Sequence, residues 1–125
     1  MASILIVDDD AELLRALTFL LSSKGHRVVT AQDGIMATSQ AHRIQPNLII
    51  LDIGLPGGSG FAVLERIRAS GRLAAIPVLV LSGSTEPGIQ ERAMGAGAQM
   101  FLHKPADPPA LLAAVEQLAR SEKAA

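Results

Sequence analysis

Three short runs of consecutive apolar residues punctuate the chain: Ile4-Leu5-Ile6-Val7, Leu48-Ile49-Ile50-Leu51 and Val78-Leu79-Val80-Leu81. None of them alternates with polar residues, and each is bounded by polar or turn-forming ones. Uninterrupted runs of this length suit strands covered on both faces, as in a parallel sheet between layers of helices. Residues 27–31 and 99–103 are two weaker strand candidates. Between the runs the apolar positions recur at helical spacing. Leu13, Leu14, Leu17, Leu20 and Leu21 form one stripe, with Asp10 placed to cap its start and Gly25 to stop it. A fainter helix over 35–43 ends before Pro46. Phe61, Leu64 and Ile67 mark a third, with Ser59 near its start and Gly71 after its end. A fourth, over about 86–94, is poor because Pro87-Gly88 would fall in its first turn. The last is well signalled by Asp107 as N-cap, Pro108 at the first helical position, then Leu111, Leu112, Val115 and Leu118.

This β-α alternation, repeated five times, predicts an α/β fold: an open, doubly wound, five-stranded parallel sheet with right-handed crossovers. Chain length favours this open sheet over a barrel, which typically needs about 250 residues. Residues 1–120 are read as one domain and 121–125 as a polar tail.

Composition narrows the chemistry. Eleven basic side chains oppose 12 acidic ones, so no global field points to nucleic acid or an anionic membrane. With three Phe, no Trp and no Tyr, base-stacking platforms are not expected. The absence of cysteine removes disulfides, thiolate catalysis and Cys-ligated metals, and fits a cytoplasmic location. No apolar run approaches the roughly 18–20 residues of a membrane span, and Met1-Ala2-Ser3 leads into the first run without the basic segment and apolar core expected of a signal peptide.

In open α/β sheets, ligands gather outside the carboxyl ends of the strands, at the point where strand order reverses. The residues that follow the strand-like runs are therefore the candidates. Asp8, Asp9 and Asp10 follow the first, Asp52 the third, Ser82 the fourth, and Lys104 the fifth. Asp8, Asp9 and Asp52 would crowd negative charge into one pocket, which a cation must offset. Oxygen ligands without His or Cys favour a hard divalent ion, Mg²⁺ ahead of Ca²⁺ or a transition metal. Asp52 could then attack phosphorus as a nucleophile, with Lys104 and the Ser82 hydroxyl on other phosphoryl oxygens. Asp10 is read as a helix cap rather than a ligand. His26, His42 and His103 lack metal-site spacing and are read as surface or framework positions.

Taken together, Asp8-Asp9, Asp52 within Leu-Asp-Ile-Gly-Leu-Pro-Gly-Gly-Ser-Gly, Ser82 and Lys104-Pro105 resemble the receiver domain of bacterial two-component response regulators. The resemblance covers essentially the whole chain. It implies a flavodoxin-like sheet of order 2-1-3-4-5. It also implies a phosphorylation-dependent signalling switch rather than an enzyme. Asp52 would accept a phosphoryl group from a histidine kinase or a histidine phosphotransfer protein. Asp8, Asp9, Asp52 and the Gly54 carbonyl would hold Mg²⁺, and the Lys104–Pro105 bond would be cis. Ser82 and Phe101 would move with phosphorylation, and the face built by the fourth helix, fifth strand and fifth helix would dock the downstream partner. A Phe at 101 lacks the hydroxyl of the family's frequent Tyr, which disfavours an outward position. Gly54 and Ser84, two residues beyond Asp52 and Ser82, flank the phosphoryl position. Ala106 departs from the family's usual aromatic.

Two other readings share the fold. An aspartyl-nucleophile phosphatase would need a second Asp two residues after Asp52, where Gly54 stands. A flavodoxin-like cofactor binder would need a phosphate-cradling first loop, where this chain has three Asp. A stand-alone receiver and the N-terminal receiver of a longer regulator or hybrid kinase are both compatible with the sequence.

Overall fold

Period-two packing, sheet register and helix caps assemble the elements in an order readable from local chemistry. The computed structural model describes residues 2–54 and 59–124. Strands β1 (Ser3–Val7), β2 (Arg27–Ala31), β3 (Leu48–Leu51), β4 (Val78–Ser82) and β5 (Met100–His103) alternate with helices α1 (Ala11–Ser22), α2 (Gly34–Ile44), α3 (Ser59–Ala69), α4 (Ile89–Gly95) and α5 (Pro108–Ala124). The strands form one parallel sheet of order β2-β1-β3-β4-β5, the flavodoxin-like arrangement. The backbone of α5 is helical to Ala124 and so enters the segment set apart in sequence as a tail.

Successive strand residues point to opposite faces, which explains the unbroken apolar runs. Leu5, Val7, Ile49, Leu51, Val78 and Val80 face a core completed by α2, α3 and α4. Ile4, Ile6, Leu48, Ile50, Leu79 and Leu81 face a second core completed by α1 and α5. Helix starts follow their caps. Asp10 Oδ1 accepts from the amides of Glu12 and Leu13, at 3.0 and 3.2 Å. Asp33 accepts from Met36 and Asp107 from Ala110. The α1 stripe ends in a turn completed by Gly25 at φ 89°.

The fourth helix corrects the expectation from sequence. It begins at Ile89, not near residue 86, and Pro87-Gly88 lie outside it. Gly88 adopts φ 81° at the N-cap and gives no side-chain cap, so the helical path cannot extend back through it. Only Ile89 and Ala93 of its seven residues are buried.

Candidate functional site

Register brings the strand ends together. In the β1–β3 pair Val7 lies opposite Leu51, so the next residues, Asp8 and Asp52, emerge side by side at the carboxyl edge. The Asp52 amide donates to the Val7 carbonyl (2.9 Å), which carries the ladder up to the site. The β4–β5 pair sets Ser82 opposite His103, and the Lys104 amide then donates to the Ser82 carbonyl (2.8 Å). The Lys104–Pro105 bond is cis.

Among the described residues, the buried polar or charged side chains are Asp8, Asp52 and Ser82, and all three stand at this edge. Burial of that kind is costly unless each group is paired. Lys104 supplies the pairing: its ammonium lies 2.7 Å from Asp8 Oδ2 and 3.4 Å from Asp52 Oδ2. The remaining oxygens are held by backbone. Asp8 Oδ1 accepts from the Asp10 amide and Asp52 Oδ1 from the Gly54 amide, each at 3.0 Å. Ser82 Oγ accepts from the Ser84 amide (3.0 Å), and Ser84 Oγ in turn accepts from that of Glu86 (3.1 Å).

Charge is not balanced. One oxygen from each of Asp8, Asp9 and Asp52 falls within 4.8 Å of the other two, and a single ammonium faces them. Burial pushes the Asp8 carboxyl above the usual carboxylate range, and the neighbouring Asp52 charge adds to this against the Lys104 and Asp10 hydrogen bonds. Burial alone would lower Lys104, but its bond to Asp8 and the charges of Asp52 and Asp8 outweigh that and raise it. An all-oxygen cluster with surplus negative charge fits a hard divalent cation such as Mg²⁺.

The structure thus brings Asp8, Asp9, Asp52 and Lys104 into one cluster and sets Ser82 beside it at the same sheet edge, its carbonyl bonded to the Lys104 amide. Residues 55–58, which include the Pro-Gly-Gly stretch of the quoted motif, lie outside the described residues. Gly54 is exposed, and a Cβ there would sit 3.5 Å from Asp52 Oδ1, so any side chain at this position would overhang the carboxylate. Phe101 is buried in the core and meets the His103 ring edge-on at 5.0 Å. Two features escaped sequence reasoning, the backbone donors that aim each carboxylate and the contacts of Arg68. Arg68 spends all five guanidinium N–H groups on the carbonyls of Gly97, Ala74 and Ile76 and on Gln99 Oε1. Neither feature leaves a composition or spacing signal.

A family model for the response regulator receiver domain matches residues 4–116. The chain belongs to the response regulator receiver domain family. This receiver domain is 38% identical, over its full length, to the transcriptional regulatory protein KdpE of Mycobacterium tuberculosis, of which it covers 54%. It is 40% identical over 122 residues to the DNA-binding regulator RpaA of Synechocystis, covering 96% of this chain and 50% of that one. It thus spans about half the length of these relatives. The chemotaxis protein CheY4 of Vibrio cholerae shares its fold at a TM-score of 0.88 with 30% identity, over 94% of this chain and 98% of that one. NtrX of Brucella abortus matches at 0.89 with 31% identity, over 98% of this chain but 28% of its own. The function of the receiver domain is phosphorylation-dependent signalling, and domains of this family bind Mg²⁺ at an acidic pocket such as the one formed here.

Proposed function

We propose that this domain is the switch of a two-component phosphorelay, with Asp52 as phosphoacceptor. One observation carries the reading: the buried polar side chains converge at a single sheet edge, with Lys104 spanning Asp8 and Asp52. The donor would be a phosphohistidine on a histidine kinase or phosphotransfer protein. An Asp52 oxygen attacks phosphorus, the P–N bond breaks, and the imidazole leaves with its electron pair. Asp8, Asp9, Asp52 and the Gly54 carbonyl would hold Mg²⁺, which when bound neutralises charge on the phosphoryl oxygens. Lys104 lies close enough to Asp52 to pair with a further phosphoryl oxygen, and the Ser82 hydroxyl is available for a third.

Signal output follows from what Ser82 holds. Its Oγ is tied to the Ser84 amide, and Ser84 Oγ to that of Glu86, three residues before α4 begins. Drawing Ser82 toward a phosphoryl group loosens that chain of turns and shifts the α4-β5-α5 face, with Phe101 following on β5. The partner is a downstream protein or, as the half-length match to KdpE and RpaA suggests, an attached output domain. Nothing in the near-balanced charge calls for direct nucleic-acid binding by this domain. No described helix is long and apolar enough to cross a membrane.

The test is intact mass after exposure to acetyl phosphate with Mg²⁺. The wild-type chain is expected to gain one phosphoryl group that is labile at alkaline pH, and Asp52→Asn to gain none. Labelling of Asp52→Asn at the wild-type level would overturn the assignment.

A further inference from the structure

Asp10 is the residue that joins the metal pocket to a helix. Its side chain is exposed and is not one of the three clustered carboxylates. Oδ1 instead accepts from the amides of Glu12 and Leu13 and closes the first turn of α1. Its backbone sits at φ −86°, ψ 104°, and its carbonyl accepts from Leu14. With both neighbours fixed in this way, the Asp10 amide points back at Asp8 Oδ1, 3.0 Å away. Asp8 is 2% exposed, so bulk water cannot orient its carboxylate. Its plane is set by two protein donors on opposite oxygens, the Asp10 amide on Oδ1 and the Lys104 ammonium on Oδ2.

The two donors are not equivalent in the cycle proposed above. Lys104 is to be shared with a phosphoryl group, and its hold on Asp8 weakens as that group arrives. The Asp10 amide has no other task. We infer that Asp10 is a positioning residue for the cation site: its cap on α1 aims its own amide at Asp8 Oδ1, and so holds the Asp8 carboxylate in ligating orientation. The inference rests on the reading of Asp8 as a ligand to a divalent cation. It assigns no ligand role and no need for negative charge to the Asp10 side chain.

A cap requires an oxygen acceptor, not a charge, and Asn and Ser serve as well as Asp. Groups that orient a metal ligand typically carry about 10- to 100-fold in metal affinity. The experiment is a Mg²⁺ titration of the full chain followed by amide NMR, on wild type, Asp10→Ala, Asp10→Asn and Asp10→Ser. Asp33→Ala serves as control, because it removes the equivalent side-chain cap from α2 without touching the pocket. We expect Asp10→Ala to bind Mg²⁺ about tenfold more weakly. Asp10→Asn and Asp10→Ser should stay within about threefold of wild type, as the cap ranking implies. Asp33→Ala should match wild type despite its lost cap. In metal-free protein the residue-10 amide should be protected from exchange in wild type, Asn and Ser, and unprotected in Ala.

An Asn variant as weak as the Ala variant would show that charge or ligation, not capping, is what Asp10 supplies, and would overturn the proposal. So would wild-type affinity in Asp10→Ala, or an equal loss in Asp33→Ala. No Mg²⁺ response in wild type would instead overturn the metal reading itself, and this inference with it.

Discussion

With 2% of its surface exposed and two other carboxylates within 4.8 Å, Asp8 stands where ionisation is least welcome. Its carboxyl is raised by burial first and by the Asp52 charge in addition. A carboxyl whose pKa is higher in the folded state favours folding only below its unfolded value, so at neutral pH in the absence of metal the ionised Asp8 opposes folding. Asp8→Asn is therefore expected to raise the thermal midpoint in metal-free buffer, even though it weakens the 2.7 Å pair with Lys104. A lowered midpoint would mean that the ion pair outweighs the crowding. Arg68 presents the opposite case, a half-buried cation with every donor used. Removing it strands several carbonyls at once, and Arg68→Ala should cost about 3 kcal/mol in urea unfolding. Gly97 is shaped to it: φ is 113°, and an added Cβ would fall 2.7 Å from Arg68 Nε. Gly97→Ala should cost about 2 kcal/mol in the wild-type background and less in Arg68→Ala, where only the backbone strain remains. Strict additivity in that cycle would deny the steric link.

Among the elements, α4 is the least secured. It has seven residues, two of them buried, and no side-chain cap at Gly88. A helix this short draws its stability from packing rather than propensity, and here packing is slight. Its C-terminal end is better held, because Gly97, just beyond it, accepts two bonds from Arg68. Arg92 also lies over the Phe61 ring of α3 at 3.9 Å. Amide exchange should accordingly be fastest at the start of α4, and slower in α1 and the central strands by several kcal/mol of opening free energy. Uniform protection across α1, α4 and the sheet would argue against α4 as the moving part. Under the proposed switching, a displacement at Ser82 would act on the uncapped start of α4 while Gly97 stays tied to Arg68 at the far end.

At the scale of the whole molecule, the two apolar layers are complete without the site, which leaves the carboxyl edge free to carry unfavourable charge. A cation binding only the folded chain must then stabilise it, by about 2.7 kcal/mol when present at 100 times its dissociation constant. Mg²⁺ is expected to raise the thermal midpoint of wild type in a saturable way, and to leave Asp8→Asn nearly unmoved. Equal shifts in both would indicate a general salt effect. The elements themselves were legible in the sequence because their signals are local. A strand buried on both faces must read as an unbroken apolar run, and Asp10, Asp33 or Asp107 caps a helix within three residues of itself. The start of α4 was misread by about three residues, since Pro87 and Gly88 weaken a helical turn but do not say on which side of them the helix begins. The set of chemical side chains, Asp8, Asp9, Asp52, Ser82 and Lys104, was legible too, because each stands at the end of a strand or within two residues beyond it. What only the tertiary structure decided is how they meet. Strand order and register bring residues 44 and 96 positions apart onto one cluster, Lys104 bridges Asp8 and Asp52, and backbone amides aim the carboxylates. Arg68 likewise found its partners across 29 residues of chain. Such contacts depend on which strands lie side by side, a property of the assembled sheet that no single stretch of sequence encodes.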